Sequence, residues 1–271
     1  MFRPPRRANR NAALAALALL SLAGCNPAAG NGAADAPGEI APAPADIALF
    51  SSLPIAQPEG ASMSDLLSGD APSHWAVGVL AERGKWRAVD WLGIRDDGWE
   101  ALAAIDLLIL AQPRALAPEE NVALDEFVRG GGAVLLFADP ELTQDSAYPL
   151  GDRRRPLSGV LLSPILARWG IALERDDADR ASGVQWNGVS LPLSRAGRFT
   201  ITRESGEFAG ECALEADDRL VACAIGEGRL LAVADAALLE PDSGETAQTR
   251  AALLDRLIGS ALGPASGKSR D

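Results

Sequence analysis

The stretch from Asp106 to Ala138 constrains this chain most. A continuous apolar run, Asp106-Leu-Leu-Ile-Leu-Ala111, and a second one, Ala133-Val-Leu-Leu-Phe-Ala138, bracket an amphipathic segment. Strands that are apolar at every position are covered on both faces, as in parallel sheets flanked by helices. The segment between them opens on Pro118, carries Glu119 and Glu120 at its positive end and repeats Val122, Leu124, Phe127 and Val128 as a buried stripe. Gly130-Gly131-Gly132 stops it. Residues 106–138 therefore predict one β-α-β unit with parallel strands and a right-handed crossover, and the fold class is α/β.

Other elements extend the pattern. Ile47–Phe50 and Trp75–Leu80 read as short strands, and Trp99, Leu102, Ala103 and Ile105 as a brief helix. Leu161–Trp169 has helical spacing, Gly170 ends it, and Ile171–Glu174 resumes extended chain. Between 184 and 225, short apolar runs separated by Gly, Asp and Asn predict an antiparallel hairpin excursion. Gly228–Asp235 reads as another buried strand. Thr246–Leu262 reads as a closing helix with Leu253, Leu254, Leu257 and Ile258 inward. The segment from Asp139 to Pro156 has no clear element, and loops of that size commonly bind something or move.

The N-terminus reads as an address. Arg3, Arg6, Arg7 and Arg10 precede an apolar run from Ala12 to Ala23, the layout of a secretory signal. Its end, Leu22-Ala23-Gly24-Cys25, resembles the lipobox of bacterial lipoproteins. That resemblance implies cleavage before Cys25, lipid on its sulfur, and a globular part in the periplasm held to a cell-envelope membrane. Residues 1–24 are thus expected to form the signal and 25–46 a disordered tether of Ala, Pro, Gly and Asn. Residues 47–262 are expected to form a single α/β domain, and 263–271 a loose tail.

Charge and composition narrow the chemistry. The 271 residues carry 25 basic and 37 acidic side chains, a net charge of −12, which excludes a nucleic-acid footprint. Loss of residues 1–24 removes four arginines and no acid, leaving 21 basic side chains against 37 and a net charge of −16. Lipid, not charge, would then hold the protein to an anionic membrane. One His and three Cys leave no His-rich metal site, zinc ribbon or CxxC redox pair, and neither a cofactor nor a metal is expected.

Several residues remain as candidates. Cys212 and Cys223 lie symmetrically about Asp217 and Asp218, so a hairpin turning there sets them opposite each other and predicts a disulfide. Asp139 and Asp235 end predicted strands at the edge where open α/β sheets bind ligands. They form a candidate crevice, or each caps the turn that follows. Arg153, Arg154 and Arg155 are the dense basic run of an acidic protein, a candidate partner patch or a solvated loop. His74 has no G-x-S-x-G elbow to serve and is expected to be an exposed loop residue. Most of the six tryptophans fall inside apolar runs and are expected in the core.

The order of pieces from Asp106 to Pro140 resembles the central region of the GldG-like auxiliary proteins of ABC transporters. A strand runs into a Pro-containing turn, a helix starts at Pro-Glu-Glu, Gly-Gly stops it, and a second strand ends in Asp-Pro. Leu161–Glu174 and Gly226–Asp235 resemble later parts of that pattern. The resemblance implies a flavodoxin-like sheet similar to class I glutamine amidotransferases, mostly parallel with helices on both faces. Those enzymes place a nucleophilic Cys on the turn after a central strand, where this chain has Ala111-Gln112-Pro113. No catalytic residue is therefore assigned.

Two functional readings stay open. One is a non-catalytic, lipid-anchored envelope protein, auxiliary to an ABC-type transport system, with a permease or other envelope proteins as partners. The other is a carboxylate-based hydrolase or ligand-binding protein for envelope glycans, built on Asp139 and Asp235.

Overall fold

The structure, a computed structural model, describes residues 44–61, 63–68, 73–98, 100–176, 183–202, 209–240 and 246–263. The signal, Cys25, the tether up to residue 43, Trp99 and the tail from 264 lie outside the described residues.

A seven-stranded sheet forms the centre. Its parallel part comprises β1 (Ala45–Ser51), β2 (Gly84–Ala88), β3 (Leu107–Ala111), β4 (Ala133–Phe137) and β11 (Gly228–Val233). Two antiparallel strands, β10 (Leu220–Ile225) and β9 (Glu211–Glu215), continue it, and the order is β2-β1-β3-β4-β11-β10-β9. The β-α-β unit predicted from 106–138 is present: β3 and β4 pair in parallel from Leu107 opposite Ala133 to Ala111 opposite Phe137, with every residue of both strands buried. The central sheet is thus mostly parallel, with antiparallel additions, as the apolar runs required.

Helices cover both faces. Helices α2 (Trp75–Arg83) and α5 (Ala247–Leu262) pack on one side with Val79, Leu80, Leu253, Leu254, Leu257 and Ile258. Helices α3 (Pro118–Arg129) and α4 (Ser163–Arg168) bury Leu124, Val128, Ile165 and Leu166 on the other. A short helix, α1 (Met63–Ser68), precedes α2. The glycine triplet after α3 has a steric cause. Gly131 lies at φ 99°, and a Cβ on Gly132 would come within 2.4 Å of the Phe127 ring.

Outside the central sheet, β5 (Ile171–Glu174) pairs antiparallel with β8 (Arg198–Ile201), and β6 (Gly183–Trp186) with β7 (Val189–Pro192). The antiparallel excursion is therefore divided between two small ladders and an extension of the main sheet.

Three local expectations need correction. Trp75–Leu80 is helical, not extended, because the His74 ring accepts the Ala76 N–H as an N-cap and Ala76, Val79 and Leu80 turn to one face. Residues 101–104 form turns instead of a helix, since the Arg87 guanidinium takes the carbonyls of Ala101 and Ala103 at 2.9 and 3.1 Å. In α3 the buried stripe omits Val122, which is 57% exposed.

Candidate functional site

The carboxyl edge of the parallel sheet gathers Gln112, Asp139 and Asp235. Register sets Phe137 opposite Val233, so Asp139 and Asp235, two residues further on, leave neighbouring strands level with each other. Both are buried, Asp139 at 0% and Asp235 at 2% exposure. Asp139 Oδ1 accepts the Glu141 N–H at 2.7 Å, closing an Asx turn at the head of the long loop. Asp235 Oδ1 accepts the Ala237 N–H at 2.5 Å, which starts the 3-10 turn Ala237–Leu239, and its Oδ2 accepts the Ser194 N–H at 2.7 Å. Both acids thus hold turns.

Their electrostatics follow from this placement. Burial pushes the Asp139 carboxyl up to about 7, the Glu141 and Ala236 N–H groups pull it back, and the charges of Glu240 and Glu141 add to the rise. Asp235 is pushed well above the carboxylate range by burial first and by Asp139 second. Glu240, raised by burial and by Asp145, accepts the Thr143 hydroxyl at 3.0 Å. Thr143 Oγ1 is also 2.9 Å from Ser194 Oγ. Glu240, Thr143 and Ser194 were not legible as neighbours in the sequence, because they come from three separate loops.

Gln112 occupies the turn after β3, fully buried at φ 46°, the left-handed region a non-glycine residue enters only under constraint. Its Nε2 donates to the carbonyls of Asp139 and Leu157 at 2.9 and 3.0 Å, and its Oε1 accepts the Asp139 N–H at 2.8 Å. The Ser52 hydroxyl donates to the Gln112 carbonyl. Neighbouring loops at this edge are therefore tied by main-chain contacts through one amide.

His74 is half-buried rather than exposed. Its Nδ1 accepts the Ala76 N–H and its Nε2 donates to the Leu239 carbonyl at 3.0 Å, which defines a neutral tautomer. Burial holds its pKa below the usual value, against the Leu239 bond, with Arg250 lowering it further.

The arginine run is divided by its contacts. Arg154 forks onto Asp152 and stacks over the Tyr148 ring at 4.1 Å, while Arg155 donates to the Tyr148 carbonyl at 2.8 Å. Arg153 is exposed, as is Leu150. Glu59 accepts from Ser146 and from the Ala147 N–H, so the long loop is fastened at its middle. Trp169 and Trp186 are core residues, their indole N–H groups donating to Asp125 and Glu215.

Cys212 and Cys223 form a disulfide across directly opposed positions of β9 and β10, with Cα atoms 4.0 Å apart. The four-residue turn between these strands holds Ala216, Asp217 and Asp218 at positive φ. The Phe199 N–H fastens it by donating to the Asp218 carbonyl. Among the described residues no group of three or more His, Cys, Asp or Glu is arranged to hold a metal ion.

No curated protein matches the chain. Among solved structures, the chain is similar to the mmIFT52 N-terminal domain, at 12% identity and a TM-score of 0.47, over 80% of this chain and 98% of that one. It is also similar to the exo-β-1,4-mannosidase Op5Man5 from Opitutaceae bacterium strain TAV5, at 12% identity and TM-score 0.45, over 82% and 36% of the two chains. A third is the β-galactosidase from Rahnella sp. R3, at 13% identity and TM-score 0.39, over 83% and 32%. The chain spans about a third of each of the two glycosidases. Residues 93–185, from the approach to β3 into β6, match the model of a family described as an ABC-type uncharacterized transport system. That stretch is about a third of the chain, and it contains Asp106–Pro140 and Leu161–Glu174, the segments on which the resemblance was read.

Proposed function

We propose that the protein is a non-catalytic, lipid-anchored envelope component that works beside an ABC-type transport system, on a flavodoxin-like scaffold of the glutamine amidotransferase kind. The family signature over residues 93–185 supports the transport assignment. The observation that carries the non-catalytic reading is Gln112. At the turn where an amidotransferase-like scaffold would present its nucleophile, a buried amide has both ends committed to backbone partners. Nothing at that turn is available to attack a substrate.

In this reading residues 1–24 direct export, Cys25 carries the lipid, and the chain from 25 up to β1, which begins at Ala45 rather than after residue 46, tethers a single domain ending at 262 at the periplasmic face of a membrane. Among the described residues no helix is long and apolar enough to cross a membrane. Arg153, with the exposed Leu150 shortly before it in the chain, is the patch offered to a permease or another envelope protein. Asp139 and Asp235 shape the carboxyl edge and do no chemistry on a ligand.

The full-length chain, tagged at its C-terminus and extracted in gentle detergent, tests this. A permease or its ATPase is expected to co-purify in stoichiometric amount, and Cys25→Ala is expected to lose fatty-acid labelling and move to the soluble fraction. Isolation of the wild type without any membrane complex overturns the transport reading. Labelling that persists in the variant overturns the anchor.

A further inference from the structure

Two buried acids side by side do not both ionise without a cation to balance them. Among the described residues no cationic side chain hydrogen-bonds either carboxyl group. Among the described residues, the charged groups named around the pair have partners of their own. On the loop after β4, Glu141 is paired with Arg195 at 2.5 Å and with Arg175 at 3.7 Å. Beyond the 3-10 turn stands Glu240, with Asp145 acting on it from the long loop. From α5, Arg250 spends its guanidinium on the Glu240 carbonyl and the Trp75 ring. Ahead of α2, His74 is occupied by Ala76 and Leu239.

The hydrogen bonding distinguishes the two acids. Asp235 accepts a backbone N–H on each oxygen, and these two bonds hold its charged form against the burial and the Asp139 charge that push its pKa up. Asp139 accepts one on Oδ1, while its Oδ2, buried, accepts none, and the Ala236 N–H lies near the carboxyl without closing a bond on Oδ2. An oxygen buried without a donor is where a proton belongs.

We propose that Asp139 and Asp235 carry a single proton, on Asp139 Oδ2, and that it latches the loops leaving β4, β7 and β11 at the carboxyl edge of the sheet. The fastenings converge on this pair. Asp139 heads the long loop through Glu141, and Asp235 holds the turn after β7 through Ser194 and the turn after β11 through Ala237. Thr143 joins the same loops through Ser194 and Glu240. When the O–H bond breaks and the proton passes to water, two adjacent anions remain, with Glu240 as a third charge. Their repulsion loosens all three loops together. The proposal makes the carboxyl edge a pH-sensitive clasp, closed on the acid side and loosened as pH rises.

The sign follows from linkage. A carboxyl raised in the folded state contributes stability that is fully present below its unfolded pKa near 3.9 and is lost as pH rises through the folded value. Asp139→Asn supplies a neutral donor in place of the protonated oxygen. The melting temperature of the wild-type chain, followed from pH 5 to pH 8.5, is expected to fall relative to that of Asp139→Asn by ~5 °C. Asp235→Asn sets an amide N–H against a backbone N–H and is expected to melt lower at every pH. A wild type and Asp139→Asn that keep a constant difference across this range overturn the proposal, as does Asp235→Asn being the milder change. Infrared spectroscopy of the wild-type chain does not depend on the variants folding. A protonated-carboxyl band present at pH 6 and absent at pH 9 supports the clasp, and its absence at pH 6 overturns it.

Discussion

The side chain of Gln112 pairs with the backbone of Asp139 as a strand residue would, donating to its carbonyl and accepting its N–H at 2.9 and 2.8 Å. Pairing in the β3–β4 ladder ends at Ala111 and Phe137, and this amide carries it beyond the last backbone pair. The residue that closes the turn is therefore the one that ties its neighbour in place. Gln112→Ala leaves the Asp139 N–H and the carbonyls of Asp139 and Leu157 without their partner. The expected loss is about 3 kcal/mol, measured as a shift in the urea midpoint.

The Cys212–Cys223 bridge closes a loop with a sequence separation of 11. Chain-entropy considerations give about 3 kcal/mol for a loop of that size. Replacing both cysteines with alanine is expected to lower the unfolding free energy by about that amount while leaving the sheet intact. A thiol titration under denaturing conditions is expected to show no thiol from this pair in the unreduced protein and two after reduction.

Glu120 is fully buried in the first turn of α3, where the Arg114 guanidinium grips it with two hydrogen bonds of 2.7 and 2.9 Å. The Leu92 and Ala117 N–H groups also donate to it. Arg114→Leu strands a buried charge. The expected cost is about 3 kcal/mol in chemical denaturation, and Arg114→Lys recovers only part of it, since the fork is lost.

His74 contributes a pH dependence of the opposite sign to that of Asp139. Its folded pKa lies below the ordinary value of 6.5, so the unfolded chain takes up the proton first and stability falls as pH drops below about 6.5. His74→Asn keeps a capping side chain without a titrating ring. The melting temperature of the wild type relative to this variant is expected to decline between pH 7 and pH 5.

Asp125 acts in a lower range. Burial raises its carboxyl, and hydrogen bonds from Arg129, Arg168 and Trp169 more than compensate, so it stays below its usual value. Its contribution is present above the unfolded pKa and is lost as pH falls through the folded one. Asp125→Asn is expected to remove that part of the acid unfolding transition, read by circular dichroism below pH 4.

The amino-acid sequence by itself determined the β-α-β unit of residues 106–138, the closing helix and the opposition of the two cysteines. Each of these is encoded in local spacing. Apolar runs long enough for a strand, a helical stripe ended by Gly130, and two cysteines equidistant from a turn need no distant partner to be read. Trp75–Leu80 failed that reading because its apolar residues suit a strand as well as a helix. Its state was decided by the His74 cap and by packing with α5. Only the tertiary structure set Asp139 level with Asp235 and brought Gln112, Ser194, Thr143 and Glu240 to the same edge. The register of β11 against β4 joins residues almost a hundred positions apart, and no local periodicity carries that information. Burial did the rest, since an aspartate at a strand end becomes a proton-holding group only when neighbouring loops close water out.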